Sequence, residues 1–148
     1  MEKQYPLIEK RSIVMRWGDM DAIGHLNNTQ YFRYLEQVRL EWLESMGFGI
    51  QPGGVGPVIA ATSCTFRREL TYPATVVVSL ELEHLGRSSI RLRHHFYREG
   101  DDDTVYAYAD VTLVWVDYAK GQAVALPEPI RAALAPLAVL LPPAAAAV

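Results

Sequence analysis

Between Asp19 and Asn28 the chain sets two aspartates, a histidine and two asparagines within ten residues, in the run DMDAIGHLNN. A carboxylate can attack a carbonyl carbon itself or take a proton from a water that does so. Unpaired amide N–H groups at a helix start can hold the carbonyl oxygen as it becomes negative, each donor contributing roughly 2.7–4 kcal/mol. Asp21 lies six residues before Asn27, which reads as a helix cap, so its carboxylate has the reach to share one carbonyl with a helix start near Asn27 to Thr29. Acyl transfer is the chemistry this equipment suits, and a thioester fits it because thiolate leaves readily. An ordinary capped loop has the same composition, so residue types alone leave both readings open.

The neighbours narrow the roles. Asp19 would repel Asp21 if both were ionised and shared a site, which gives Asp19 a structural part in anchoring the loop. His25 reads as a general acid, a metal ligand with the two aspartates, or a loop residue bonded to backbone; no cysteine or further histidine stands at ligand spacing, so no metal is expected. Tyr31 reads as core with a polar tip, and Glu36 as the partner of a surface ion pair. Cys64, in AATSCTF, has no basic neighbour to lower its pKa and reads as a small buried side chain.

The elements that must position these groups follow from periodicity. Residues 8 to 17 suit a first strand. From Thr29 to Met46, Tyr31, Leu35, Val38 and Trp42 recur at helical spacing while Arg33, Gln37, Glu41 and Glu44 face water. Asn27 with Gln30 three residues on resembles a capping box, and Gly47 follows the last turn, so the motif runs into the start of one long helix. After the glycine- and proline-rich FGIQPGGVGP, strands are expected at about 58 to 71, 75 to 86, 88 to 99 and 104 to 118. Val76, Val78, Leu80 and Leu82 alternate with polar neighbours, as do Ile90, Leu92, His94 and Phe96, so each strand has one inward face. Short glycine turns at HLGRS and REGDDDT predict an antiparallel meander, with a further short strand at 122 to 125 and a short helix after Pro129. The fold class is α+β, one long helix on one curved antiparallel sheet, in a single domain of 148 residues. Residues 1 to 7 read as an N-terminal extension and about 137 to 148 as a frayed tail.

Half the residues are hydrophobic and 21% are charged, an ordinary globular balance. The net charge of −3, with no basic block, argues against nucleic acid as a partner; local clusters such as Arg67-Arg68 or Arg87, Arg91 and Arg93 can still hold a small anion. The single cysteine and the lack of a leader or an apolar stretch of about 20 residues point to the cytoplasm and away from a membrane.

The run DMDAIGHLNNTQYFRYLEQVR resembles the signature of the hotdog-fold acyl-CoA thioesterases, specifically the 4-hydroxybenzoyl-CoA thioesterase-like group, whose pattern is Asp-x-Asp-x-x-Gly-His-x-Asn-Asn-x-x-Tyr before a helix. The element order over residues 8 to 125 is also similar to that group's. The resemblance implies a hotdog fold in which Asp21 is the catalytic carboxylate, the backbone amide near Asn28 polarises the thioester carbonyl, and His25 stands with them. It implies that Asn27, Tyr31, Ser63 and Thr65 contact substrate and that Arg87 holds a phosphate of coenzyme A. The His-x-Asn-Asn form resembles the broad-range and long-chain acyl-CoA branches more than the strictly aromatic one. The family needs no cofactor, coenzyme A being part of the substrate, and forms dimers joined sheet edge to sheet edge, commonly doubled to tetramers, with each site completed by the partner subunit.

Acyl-CoA hydrolysis is therefore the first expectation, and a homodimer or homotetramer goes with it. The alternative is a non-catalytic acyl-thioester-binding or scaffold protein of the same fold, which has no chemical reason to place Asp21 beside a helix start. A hotdog dehydratase fits poorly, because His25 follows Asp21 too closely for the Asp-x-x-x-x-His pairing of those enzymes.

Overall fold

The computed structural model describes residues 4–49 and 53–142 of the chain. Six strands and two helices follow in the order β1 (Leu7–Val14), α1 (Asn28–Ser45), β2 (Val55–Phe66), β3 (Thr75–Leu85), β4 (Ser89–Arg98), β5 (Ala107–Asp117), β6 (Gln122–Ala123) and α2 (Glu128–Ala138), with a 3-10 turn at Trp17–Asp19 between β1 and α1. All strand pairs are antiparallel and the sheet order is β1-β3-β4-β5-β2, with β6 added on β5. One 18-residue helix laid on one antiparallel sheet is the hotdog arrangement.

The helix forms where its signals stand. The Asn27 side chain accepts from the Thr29 amide at 3.2 Å, capping the first turn. At the other end Gly47 takes a φ of +88°, and the Gly47 and Phe48 amides donate to the carbonyls of Glu44 and Leu43 at 3.0 and 2.8 Å. That closure satisfies the last carbonyls and needs a residue without Cβ at Gly47. Tyr31, Tyr34, Leu35, Val38, Trp42 and Leu43 turn to the sheet and are buried. They meet Val76, Val78, Leu80 and Leu82 of β3, Ile90, Leu92 and Phe96 of β4, and the alternate residues Ala107 to Trp115 of β5 in one core cluster. Ile130 and Leu134 of α2 close the same core beside β3.

The expected meander holds for β3, β4 and β5 but not for β2, which pairs with β5 at the far edge. The cause is α1 itself. It connects β1 on one edge to β2 on the other, so the three hairpin-linked strands must fill the sheet between them. Four strands depart by more than one residue from their expected limits. β5 begins at Ala107 rather than 104. β1 ends at Val14, because Trp17 already begins the 3-10 turn. β2 runs Val55–Phe66 rather than 58 to 71, because the Arg67 and Arg68 amides both turn to the Tyr106 carbonyl, at 2.9 and 3.0 Å, and leave the ladder. β6 keeps two residues of the four expected. The C-terminal helix begins at Glu128 and continues through Pro136 to Ala138. The first three residues of the expected extension, Ile50 to Pro52 of the loop after α1, and positions 143 to 148 of the expected tail lie outside the described residues. Among the described residues no helix is long and apolar enough to cross a membrane.

Candidate active site

Asp19 anchors the loop that carries Asp21. Its Oδ2 accepts the Tyr34 hydroxyl at 2.6 Å and the Arg16 amide at 3.1 Å, and its carbonyl accepts the Asn27 amide at 3.0 Å. Three elements are tied by one residue: the end of β1, the loop, and the second turn of α1. Burial and the Asp19 carboxylate push the Tyr34 hydroxyl's pKa well above the ordinary phenol value, so it remains a donor.

Inside this frame the chain makes a small hairpin. Met20 bridges to Leu26, the Asp21 amide donates to the His25 carbonyl at 2.9 Å, and the Gly24 amide donates to the Asp21 carbonyl at 3.0 Å. Gly24 has a φ of +86°, a conformation that glycine adopts without penalty. The Leu26 amide donates to the Leu70 carbonyl at 2.7 Å, which docks the hairpin onto the segment after β2. Asp21 Oδ1 accepts the Ile23 amide at 2.9 Å, so the carboxylate is oriented through one oxygen, while Oδ2 has no protein partner among the described residues.

A cavity of about 260 Å³ opens at this point, and Asp21, His25, Leu26, Asn28 and Tyr31 line one side of it. Phe66, Arg67, Arg68 and Glu69, from the end of β2 and the bend after it, line the other. Asn28 is the first helical residue, so its amide has no acceptor within the helix, whereas the Thr29 and Gln30 amides are engaged by Asn27. The Tyr31 ring packs edge-on against Phe66 and Phe96, with centroids 4.9 and 5.1 Å away. Burial, with Cys64 and Glu69 nearby, pushes its hydroxyl up to about 12, so it is a neutral wall with a donor tip.

The other expected site residues fall elsewhere. Asn27 spends its side chain on the helix cap. Ser63 and Thr65 are exposed on β2, and strand alternation points them away from the face on which Cys64 packs against the core. Arg87 is exposed at the β3–β4 turn, at the other end of β3 from the segment that receives the Met15 amide; its carbonyl accepts from Arg131 and Leu126. Neither β2 hydroxyl nor Arg87 lines the Asp21 cavity of this chain. Burial raises the Cys64 thiol to about 11, which leaves it protonated and unreactive at neutral pH. Glu36 forms the expected surface ion pair, with Arg33 at 2.7 Å.

Sequence reasoning missed Phe66 and Glu69 as wall residues and ranked Arg67 and Arg68 only as a possible anion cluster. They lie 45 to 48 positions from Asp21, and a basic pair within the expected strand was the only signal. A larger cavity, about 420 Å³, sits at the opposite end of α1 among Leu40, Leu43, Phe48, Val55, Pro57 and Trp115; among the described residues no carboxylate, histidine or cysteine lines it. Of the two, the smaller is the one lined by carboxylates and a histidine. Among the described residues no three His, Cys, Asp or Glu side chains are grouped as a metal site needs.

Comparison with known proteins places this site in context. A family model described as the thioesterase-like superfamily matches residues 15–134. Among solved structures the chain is similar to a Pseudomonas aeruginosa protein described as "a putative Thioesterase", with 40% identity, 86% of this chain and 98% of that one covered, and a TM-score of 0.84. It is also similar to "a putative acyl-CoA thioesterase" from Xanthomonas campestris, with 34% identity over 75% of this chain and 94% of that one and a TM-score of 0.70. An Aquifex aeolicus protein named "Putative esterase" is 28% identical over 84% of this chain and 94% of its own length.

Proposed function

This chain belongs to the thioesterase-like superfamily, and we propose that within it the protein hydrolyses acyl-coenzyme A thioesters to the free acid and coenzyme A. The observation that carries the reading is the meeting of the Asp21 carboxylate and the helix-start amide of Asn28 on one open cavity. The description of the Xanthomonas relative supports coenzyme A as the carrier.

The substrate carbonyl oxygen lies toward the Asn28 amide and the positive end of α1, which draws electrons from the carbonyl carbon. Asp21 Oδ2, held by the turn that occupies Oδ1, faces that carbon. It attacks to give a mixed anhydride that water then opens, or it takes a proton from the attacking water. Either course breaks the C–S bond, and the departing thiolate gains a proton to become free coenzyme A. His25, on the same wall, is a source of that proton. Protein groups and water suffice, without a cofactor. With one cysteine and this substrate, the cytoplasm is the compartment the reading assigns.

The same reading gives the assembly. β2 is a 12-residue edge strand that exposes Val55, Val58, Ile59 and Phe66, a poor edge to leave in water. Pairing β2 with its copy about a two-fold axis would cover it and set each Asp21 cavity beside the partner, in a homodimer that can double to a homotetramer.

Thiol release from a panel of acyl-CoA esters, for wild type and Asp21→Asn, tests the activity. We expect the variant to lose more than about a hundredfold in kcat with ligand dissociation constants within a fewfold. No wild-type turnover across the panel, or equal rates in the variant, overturns the reading in favour of a binding protein.

A further inference from the structure

We propose that Arg68, steadied by Arg67 beside it, holds the phosphate at the far end of the substrate's pantetheine arm; the inference rests on the acyl-thioester reading above and assigns the anion contact to this bend rather than to Arg87. The two amides share one acceptor, the Tyr106 carbonyl, so the bend after β2 is pinned by backbone. The Arg67 guanidinium lies 5.2 Å from the centroid of the Tyr108 ring, a cation–π contact that fixes its direction. Arg68 is exposed, and among the described residues no carboxylate lies within ion-pair distance of it. One arginine is thus held and the other is available.

Electrostatics make a cation at this place necessary. The chain carries a net charge of −3, and Asp21 and Glu69 both line the cavity. A polyanion such as coenzyme A is repelled from such a mouth unless cations stand at its rim. Reach also fits. A sphere of the cavity's volume is about 8 Å across. An arginine side chain extends roughly 7 Å, and a pantetheine arm, with its two amide units, spans on the order of 15 Å. A thioester at Asp21 therefore puts the first phosphate where Arg68 can meet it outside the cavity. Arg87, at the other end of β3 in the same chain, cannot meet that phosphate from within its own subunit.

The shared ligand chemistry is a phosphate on pantetheine, found in coenzyme A and in the prosthetic arm of carrier proteins. Calorimetric binding of coenzyme A, 4′-phosphopantetheine and pantetheine to wild type, Arg68→Ala and Arg87→Ala tests it without requiring turnover. We expect Arg68→Ala to weaken coenzyme A about tenfold or more while pantetheine binds as to wild type, and Arg87→Ala to leave coenzyme A within twofold. An equal loss for 4′-phosphopantetheine assigns the contact to the phosphate common to both carriers; a loss confined to coenzyme A places it at the nucleotide end and overturns the proposal. Unchanged coenzyme A binding in Arg68→Ala, or an equal loss with pantetheine, overturns the proposal. Loss of hydrolysis with this pattern intact would instead indict Asp21 chemistry, so the two failures are distinguishable.

Discussion

Asp21 with His25, at the start of α1, and Glu81 with His95, on the face of the sheet turned away from α1, are both carboxylate–histidine pairs beside a cavity, about 260 Å³ in the first case and 310 Å³ in the second. Glu81 and His95 are each 7% exposed. Their hydrogen bonds differ in kind. Glu81 Oε2 accepts both the Ser79 hydroxyl and His95 Nδ1, and the His95 amide donates to Ser79 Oγ at 2.7 Å, a closed circuit within two strands. Asp21 spends one oxygen on a backbone turn and keeps the other. Strand amides around Glu81 are also committed to the β3–β4 ladder, whereas the helix start beside Asp21 leaves an amide over. Proximity of acid and imidazole therefore does not separate the two pairs. Unspent hydrogen-bonding capacity on the carboxylate and on the amide beside it does.

The sharpest way to break this contrast is to neutralise each acid in turn. Asp21→Asn should lose more than about a hundredfold in kcat at nearly wild-type stability, while Glu81→Gln should keep kcat/KM within about twofold and lose roughly 2–3 kcal/mol in urea unfolding, because the charge-assisted bonds of a buried circuit go with it. Comparable losses of activity in both would erase the distinction.

A second test uses acid. His94, fully buried under α1, donates from Nδ1 to the Ser79 carbonyl at 2.8 Å while its Nε2 has no partner among the described residues. Burial lowers its pKa from the ordinary imidazole value of 6.5 to about 4, and the nearby Arg39 acts in the same direction. Below pH 6.5 the unfolded chain binds a proton that the folded chain refuses, so stability present above pH 6.5 is lost as pH falls toward 4. The loss should approach about 3 kcal/mol, measurable as a falling urea midpoint, and His94→Gln should flatten that slope. A slope unchanged in the variant would assign the acid sensitivity to other groups.

Smaller effects bear on the loop. Tyr34→Phe removes the hydroxyl that ties α1 to Asp19 and should cost about 1–2 kcal/mol in stability, with kcat down severalfold and KM little changed as Asp21 loses its anchor. Loss of stability with kcat intact would make Asp19 a fold anchor alone. Smallest is the thiol. With its pKa near 11, Cys64 should resist iodoacetamide at pH 8 in the folded protein and react at the ordinary rate in urea.

Much of this was legible along the chain because its causes are local. The cap at Asn27, the 3.6-residue spacing of Tyr31, Leu35, Val38 and Trp42, and the glycine at 47 define α1 without reference to anything distant. Asp21, His25 and Asn28 come together because ten residues folded back by one glycine turn cannot place them far apart. Alternation in β3 and β4 likewise identified the inward residues, all of which are buried. The polar side of the same strands gave no such signal, since Ser79, Glu81 and His95 are buried in their own circuit.

Sequence by itself thus determined the helix, the strands of the central hairpins, and the acid delivered to a helix start. Tertiary structure decided which strand lies beside which, which remote segment forms the second wall of the site, and which arginine stands at its mouth. Register and strand order are set by burying a shared face across residues as far apart as Cys64 and Ala109, and no spacing within one segment encodes that pairing. The helix crossing from one sheet edge to the other carried β2 away from β3, brought Phe66 to Glu69 against the Asp21 loop, and left Arg87 at the opposite end of the hairpin.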